Sequence, residues 1–186
     1  MSAADVMKAA GKLKSVKRQG WLDAGVPMER AESVADHSFR VAFMVAFLAH
    51  RAGRGKSGRM QQRGLDVLMM VRMALVHDLA ESAVGDLTPR SGVTRKKKAR
   101  MEEEAMRGLR DTGVLALWKE FESGRSQEAR LVRQADIAER VIQAQEYIES
   151  GHRAGGLARF LEGYGEVVTN RSLRALLDRN IGGKPG

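Results

Sequence analysis

Residues 65–81 read Leu-Asp-Val-Leu-Met-Met-Val-Arg-Met-Ala-Leu-Val-His-Asp-Leu-Ala-Glu, a nearly continuous apolar run that ends in ionisable side chains. A helix over Leu65 to Val76 would be apolar on all sides, and this pattern predicts a buried helix. An imidazole and a carboxylate at its end need partners, because unpaired polar groups are costly to bury. A metal ion suits both groups. His77 and Asp78 are therefore the first candidate site residues.

The composition limits the chemistry that such a site can use. The chain has 186 residues, enough for one domain with a substantial core, and no cysteine. Thiol nucleophiles, disulfides and cysteine-bound zinc are therefore excluded, and His, Asp and Glu remain as candidate metal ligands. The first residues lack a signal-peptide pattern, and no run of eighteen apolar residues occurs. We expect a soluble cytoplasmic protein with no membrane partner.

The formal net charge of +9 raises the question of nucleic-acid binding. The one dense basic cluster, residues 95–98, is followed by three glutamates at 102–104, so we expect helix-surface charges paired at helical spacing. No aromatic residues are interleaved with the cluster, as a surface that stacks single-stranded bases would require. A nucleic-acid partner is therefore disfavoured. An anionic small substrate, or a generally basic composition, explains the charge equally well.

Helical periodicity with short connections indicates an all-α fold, a helical bundle in one domain over residues 1–186. The expected N-caps are Ser33, Thr94 and Ser126. The predicted helices span about 5–16, 33–51, 65–76, 94–110, 114–122 and 126–150, with shorter pieces at 157–161 and 172–179. Loops are expected at 17–27 and 53–58, where Gly, Pro or Ser interrupt the pattern, and a flexible end at 182–186.

Three of these helices place a metal-competent side chain among apolar positions: His37, the pair His77 and Asp78, and Asp136. Their convergence on one divalent ion is our hypothesis. Two imidazoles with two carboxylates suit Mn, Co, Fe, Ni or Zn better than Ca or Mg, which prefer all-oxygen shells. Taken singly, His37 on a helix edge has an ordinary structural interpretation. Asp136 could likewise pair with a neighbouring arginine on its own helix.

Four sequence blocks in order carry a family resemblance: residues 32–40, 74–81, 84–89 and 134–136. They read Glu-Ser-Val-Ala-Asp-His-Ser-Phe-Arg, Ala-Leu-Val-His-Asp-Leu-Ala-Glu, Val-Gly-Asp-Leu-Thr-Pro and Gln-Ala-Asp. Their H…HD…D pattern resembles the HD-domain metal-dependent phosphohydrolases. Together, the blocks resemble the 5'-deoxynucleotidase branch, which includes the proteins called HD domain-containing protein 2. The similarity spans about 13–147, and we expect a core at about 13–150 with a C-terminal helical extension at 151–186.

The resemblance implies hydrolysis of a nucleoside 5'-monophosphate, preferably a deoxyribonucleotide, to nucleoside and phosphate. The family's ligands for one divalent ion match His37, His77, Asp78 and Asp136, and its catalytic acidic residues match Glu81 and Asp86. Its substrate-binding residues resemble Arg18, Trp21 and Thr88, although two residues separate Arg18 from Trp21 where the bacterial enzymes have an adjacent pair. Which acidic residue orients water, and which protonates the leaving oxygen, stays open.

Each of these catalytic and substrate-binding candidates also has a purely structural interpretation. Glu81 could pair with Arg72, Asp86 could stabilise a turn, and Arg18 and Trp21 could anchor a loop. Whole-protein alternatives are an HD phosphohydrolase acting on a phosphodiester, a nucleoside triphosphate or a guanosine polyphosphate, and a non-catalytic basic binding protein.

The C-terminal third bears on the oligomeric state. Its apolar helical pieces are too short to be stable alone, so they must dock on the same chain or on a second subunit. Relatives in the family that the chain resembles commonly pair. We therefore expect a homodimer.

Overall fold

The computed structural model describes residues 3–52 and 65–181, so the loop expected at 53–58 and the end at 182–186 lie outside the described residues. Numbered in chain order, the helices are α1 (Ala3–Lys12), α2 (Gln19–Asp23), α3 (Val34–Ala52), α4 (Val67–Val76), α5 (Glu81–Val84), α6 (Arg95–Gly108), α7 (Thr112–Ser123), α8 (Gln127–Glu149), α9 (Ala154–Leu157), α10 (Tyr164–Val167) and α11 (Arg171–Ile181). Short 3₁₀ helices occupy Pro89–Ser91 and Ala158–Phe160. Within the described ranges, the extended pairing is limited to one isolated bridge between Lys17 and Ser33, and the predicted all-α class is confirmed.

Side-chain caps begin the longer helices where the sequence predicted them. The Ser33 hydroxyl accepts from the backbone N–H of Asp36, and the Asp36 carboxylate accepts from the backbone N–H of Ser33 in return. Thr94 and Ser126 cap α6 and α8 by accepting from the N–H three residues further on. Because each cap satisfies a backbone donor that the helix leaves free, the starts of these helices are determined locally.

Other boundaries differ from the prediction. Aspartate caps at Asp66 and Asp111 set the starts of α4 and α7, so α4 begins at residue 67 and α7 at residue 112. At the amino-terminal end, α1 stops at Lys12, earlier than expected. The segment 17–27 is not a loop throughout, because it contains α2, whose Trp21 is buried. Burial of that large ring stabilises a single helical turn that local propensity does not predict.

The core lies where α3, α4 and α8 pack together. Helix α3 buries side chains at helical spacing, and α8 contributes a matching stripe of small and branched side chains. The buried members are Val34, Ser38, Val41 and Val45 on α3, Met70, Met73 and Ala74 on α4, and Ala135, Ala138, Val141 and Ile142 on α8. Small residues on α8 bring the helix backbones close together, which places the side chains between them in near contact.

The prediction that α4 is buried on all sides was wrong. Leu68 is 58% exposed and Leu75 is 49% exposed, and Val67, beside Leu68 at the start of the helix, is also exposed. Among the described helices, α3, α7 and α8 pack against α4 but leave these side chains exposed, so the continuous apolar run describes a helix with one open face. Helix α3 also carries exposed apolar rings, with Phe39 67% and Phe43 59% exposed.

The C-terminal helices dock on their own chain. Leu157 in α9 packs with Trp21, and Leu173 and Leu177 in α11 pack into the core beside α8. All three leucines are buried. Of the two docking alternatives, these leucines take the one on the same chain, so their burial gives no support to a dimer.

We expect Gly156→Ala to destabilise the docking of α9. A Cβ at Gly156 would lie 2.2 Å from the carbonyl oxygen of Ala24, whereas a Cβ at Gly155 meets no atom within 4 Å. Gly155→Ala is therefore the matched control. Urea unfolding should show a free energy of unfolding lower by about 1–3 kcal/mol in Gly156→Ala than in Gly155→Ala. Equal values would contradict this close approach.

Candidate metal centre

The structure brings together side chains from α3, the end of α4 and α8. His37 lies in the second turn of α3, His77 directly follows α4, and Asp136 lies near the middle of α8. Asp78 belongs to the turn between α4 and α5. The two imidazole rings lie 5.4 Å apart between centroids, and both are buried.

Each imidazole is fixed at Nδ1 by an acceptor of the protein. His77 Nδ1 donates to the backbone oxygen of Ala74 at 2.7 Å, and His37 Nδ1 donates to Glu139 Oε2 at 2.5 Å. The two Nε2 atoms are buried and have no hydrogen-bond partner. Because both rings donate from Nδ1, the neutral form of each imidazole would present its Nε2 lone pair to the space between the helices.

Two carboxylates face these nitrogens. Asp78 Oδ2 lies 3.2 Å from His77 Nε2 and 3.8 Å from His37 Nε2. Asp136 Oδ1 lies 3.2 Å from His37 Nε2. Ligand atoms of His37, His77 and Asp78 all fall within 4.8 Å of one another, with Asp136 beside this group. Partnerless buried nitrogens next to carboxylates fit a divalent ion, which would satisfy both.

The electrostatics of the site are those of a place that binds a cation. Burial disfavours the charge on both aspartates, but the adjacent histidines outweigh it, lowering the pKa of Asp78 and bringing that of Asp136 to about 2. Burial and Arg18 disfavour the imidazolium of His37, yet Glu139 and Asp136 raise its pKa to about 10. A ligand imidazole must be neutral, so metal binding at neutral pH displaces a proton from this site.

Glu139 is a site residue that the sequence analysis missed. It is fully buried, and it accepts from Arg40 Nε at 2.9 Å as well as from His37. Arg40 also pairs with Glu146 at 2.7 Å and donates to Gln143, so the carboxylate is held from the far side. A glutamate within the apolar stripe of α8, three residues after Asp136, was the available signal. Such a carboxylate orients the imidazole and makes it a better ligand.

Glu81 opens α5 and is buried. Burial, together with the charges of Asp78 and Asp86, raises its pKa to about 10, so this carboxyl holds a proton at neutral pH. Its Oε2 has no hydrogen-bond partner. Lys98, which the sequence analysis assigned to a helix surface, lies 3.8 Å from Glu81 and donates to the backbone oxygen of Leu87.

The arginines that follow the basic cluster on α6 form surface ion pairs with glutamates of the same helix. Arg100 pairs with Glu104 at 2.8 Å, and Arg107 pairs with Glu103 at 2.7 Å, both at helical spacing on exposed positions. Within the cluster, Lys98 makes the expected pair with Glu102 at 3.5 Å, also at helical spacing. Lys98 also faces inward toward the site, which was not expected.

Of the two predicted substrate residues near α2, Arg18 contacts the site directly and Trp21 is buried behind it. Arg18 pairs with the site directly, with its Nη1 2.9 Å from Asp78 Oδ2. Burial opposes its charge, but Asp78 and Asp86 hold the pKa of Arg18 above its usual value. Trp21 is only 2% exposed, its ring packs against Phe160 at 4.4 Å between centroids, and its Nε1 donates to Glu32. Trp21 is therefore part of a wall and offers little surface to a ligand.

Asp86 and Thr88 join the segment after α5 to α2. Asp86 Oδ2 accepts from the backbone N–H of Gln19 at 2.7 Å, and Thr88 Oγ1 donates to Asp23 at 2.7 Å. Both side chains line a cavity of about 510 Å³ that Arg18 connects to the metal centre. This volume is in the range of cavities that hold small molecules.

A second cavity reaches the same centre from the side of α6 and α7. It has a volume of about 290 Å³, and its lining includes His77, Asp78, Glu81, Lys98 and Glu122. His77 and Asp78 thus line the smaller, strongly charged cavity beside α6, and the Arg18–Asp78 pair links them to the larger cavity beside α2.

Comparison with known proteins shows which family has this architecture. A sequence model of the HD domain matches residues 10–172. The chain belongs to the HD domain family. The chain is 37% identical over 156 residues to the 5'-deoxynucleotidase HDDC2 of Dictyostelium discoideum, covering 80% of this chain and 79% of that protein. It is 36% identical over 163 residues to the human protein of the same name, covering 84% and 73%.

A solved structure shows the same arrangement of helices. A conserved hypothetical protein from Pyrococcus furiosus superimposes with a TM-score of 0.79 at 32% identity, covering 97% of this chain and 99% of that chain. None of the helices in the described ranges has the length and apolar character needed to cross a membrane.

We expect His77→Ala to lose bound metal, because it removes a buried ligand atom that nothing else replaces. His152→Ala is the control, since that half-buried imidazole packs on the edge of Tyr147 outside the site. Elemental analysis after loading with Mn²⁺ or Zn²⁺ should give about one ion per chain for the parent and the control, and much less for His77→Ala. Full occupancy in His77→Ala would contradict the assignment.

Proposed function

We propose that this HD domain protein hydrolyses nucleoside 5'-monophosphates, deoxyribonucleotides preferably, to nucleoside and phosphate. One observation carries the proposal: the Nε2 atoms of His37 and His77 have no hydrogen-bond partner and adjoin Asp78, which pairs with Arg18 in the wall of a cavity of about 510 Å³. The names of its relatives in Dictyostelium and human support the same reaction.

His37, His77, Asp78 and Asp136 would hold one divalent ion, whose identity we place among Mn, Co, Fe, Ni and Zn. When bound, such an ion polarises the phosphate and lowers the pKa of a coordinated water. The protein supplies the remaining functions. Arg18, with its planar fork of donors next to Asp78, orients the phosphate oxygens.

We assign proton donation to Glu81. Its buried carboxyl lies within a helical turn of Asp78, burial raises its pKa, and Lys98 stands close enough to stabilise the carboxylate that proton loss leaves behind. Transfer of that proton to the leaving 5'-oxygen lets the nucleoside depart as a neutral alcohol. Asp86 already accepts from the backbone N–H of Gln19, so we assign it to holding the cavity wall.

The nucleoside would occupy the larger cavity. Phe160 is half-buried at its edge, and the Arg159 guanidinium lies 4.8 Å from its ring centroid. Trp21 packs behind Phe160, so it would support the sugar or base indirectly. Thr88 reaches the same cavity from the opposite segment. Two aromatic layers give a rigid apolar wall against which a base or sugar can pack.

The test is phosphate release from a panel of nucleoside mono-, di- and triphosphates, with each of the five metal ions. We expect deoxyribonucleoside 5'-monophosphates to be the best substrates, and chelation by EDTA to abolish the release. Faster hydrolysis of triphosphates, or of a phosphodiester substrate, would assign the chain to a different HD phosphohydrolase reaction. No release from any substrate would contradict the proposal.

Replacing Glu81 separates proton transfer from metal binding. Glu81→Gln keeps the shape of the side chain but cannot donate the same proton, so turnover should fall by roughly a hundredfold or more. Its metal content should equal that of the parent. The control is Glu104→Gln on the exposed face of α6, which should leave both unchanged. Loss of metal in Glu81→Gln would instead place Glu81 among the ligands.

We further propose a homodimer, formed by a second copy of the chain on the exposed apolar side chains of α3 and α4. The observation that supports it is the exposure of Phe39, Phe43, Leu68 and Leu75 on two helices that pack against each other. Clustered apolar surface of this kind is typical of protein interfaces.

Light scattering coupled to size exclusion should give twice the chain mass of 20.5 kDa for the parent protein. Phe43→Lys should return the mass to that of one chain, because it buries a charge in the proposed interface. Met7→Lys, at a position 63% exposed on α1, should remain dimeric. A single-chain mass for the parent at micromolar concentration would exclude the dimer.

A further inference from the structure

The larger cavity is lined by an excess of cations. Four guanidinium groups face it against two carboxylates: Arg18, Arg90, Arg140 and Arg159, with Asp23 and Asp86. A lining of this composition attracts anions, because the low-dielectric walls concentrate the field of the cations. A cation in this lining can bind an anion only if it is not already paired within the protein.

Most of the charged groups in the lining already have protein partners. Arg90 donates to the backbone oxygen of Asp23, and Arg159 donates to that of Gly20. The Asp23 carboxylate accepts from Thr88 and from the side chain of Gln19, and Asp86 accepts from the backbone of Gln19. Arg18 is paired with Asp78. These bonds fix the walls of the cavity in place.

Arg140 is the exception. Among residues 3–52 and 65–181 its side chain has no hydrogen bond and no ion pair, and its Nε is buried without an acceptor. A buried guanidinium nitrogen without a partner is destabilising, since its lost hydration is not replaced. A group that is costly in the free protein, and that faces a cavity, is suited to an anionic ligand that supplies the missing acceptors.

The position of Arg140 on α8 indicates which ligand atoms it reaches. It follows Asp136 by four residues, which places it one helical turn away on the same face. Side chains of helices lean toward the amino-terminal end, so that of Arg140 leans back toward Asp136. Arg18 approaches the same metal centre from the segment before α2. Two guanidiniums therefore flank the place where a substrate phosphate would meet the candidate ligands.

We propose that Arg140 is a phosphate-binding residue, which holds the substrate's phosphate oxygens from α8 while Arg18 holds them from the opposite side. The planar guanidinium, with several N–H donors and a permanent charge, matches a phosphate group better than a neutral base or sugar. The proposal rests on the proposed function only for the identity of the molecule that carries the phosphate. It makes Arg140 a specificity determinant that separates nucleotides from nucleosides.

The experiment measures binding of inorganic phosphate, the expected product, by calorimetry on the Mn²⁺-loaded protein. Arg140→Met removes the charge and keeps most of the side-chain volume, and the dissociation constant for phosphate should rise by about 10- to 100-fold. Binding of 2'-deoxyadenosine should not change. Arg130→Met is the matched control on the exposed face of α8, and it should bind phosphate as the parent does. The metal content should be equal in all three proteins.

An unchanged phosphate dissociation constant in Arg140→Met would overturn the proposal, and so would a loss of nucleoside binding with phosphate binding intact. If Arg140→Met does not fold, Arg140→Lys and Arg140→Gln replace it, and retention of phosphate binding by lysine but not by glutamine supports the proposal. Equal binding by both overturns it. A parent protein that binds phosphate through Arg140 but releases none from any nucleotide would refute the proposed reaction and leave this inference standing.

Discussion

Both imidazoles of the metal centre are held at Nδ1 by acceptors of the protein, and the chemistry of the site depends on this constraint. Ala74 supplies a backbone oxygen to His77, and Glu139 supplies a buried carboxylate to His37. With Nδ1 occupied, each ring can present only Nε2, and both Nε2 atoms reach the same space as Asp78. The helices α3, α4 and α8 therefore have to pack closely enough to bring two rings within 5.4 Å.

Around this centre, some polar side chains are fully hydrogen-bonded within the protein and others keep an atom without a partner. Asp86 and Thr88 are occupied in tying the cavity wall to α2, and Arg40 is occupied in holding Glu139. Glu81 and Arg140 each retain a buried polar atom without a partner. Groups left unsatisfied in an otherwise bonded site are those that a ligand or a proton transfer can use, because the cost of burying them is recovered only when substrate binds.

How much the sequence could predict follows from the range of the interactions involved. Helix starts at Ser33 and Ser126 were predictable because a cap acts within three residues, and the ligands of α3, α4 and α8 stood out as polar residues in apolar stripes. The exposed face of α4 was not predictable, since a continuous apolar run does not reveal how many neighbours cover a helix. Nor was the inward turn of Lys98, because its partner Glu81 lies on another helix.

The most direct test of the account is the position of a zinc ion in crystals of the protein, located by anomalous scattering at the zinc edge. The account predicts a single peak about 2.0–2.1 Å from the Nε2 atoms of His37 and His77, with Asp78 and Asp136 completing the shell. The opposite side of the His37 ring offers a second set of possible ligands, which His37 forms with Glu32 and Glu139. A peak on that side, or none at the Nε2 atoms, would contradict the account.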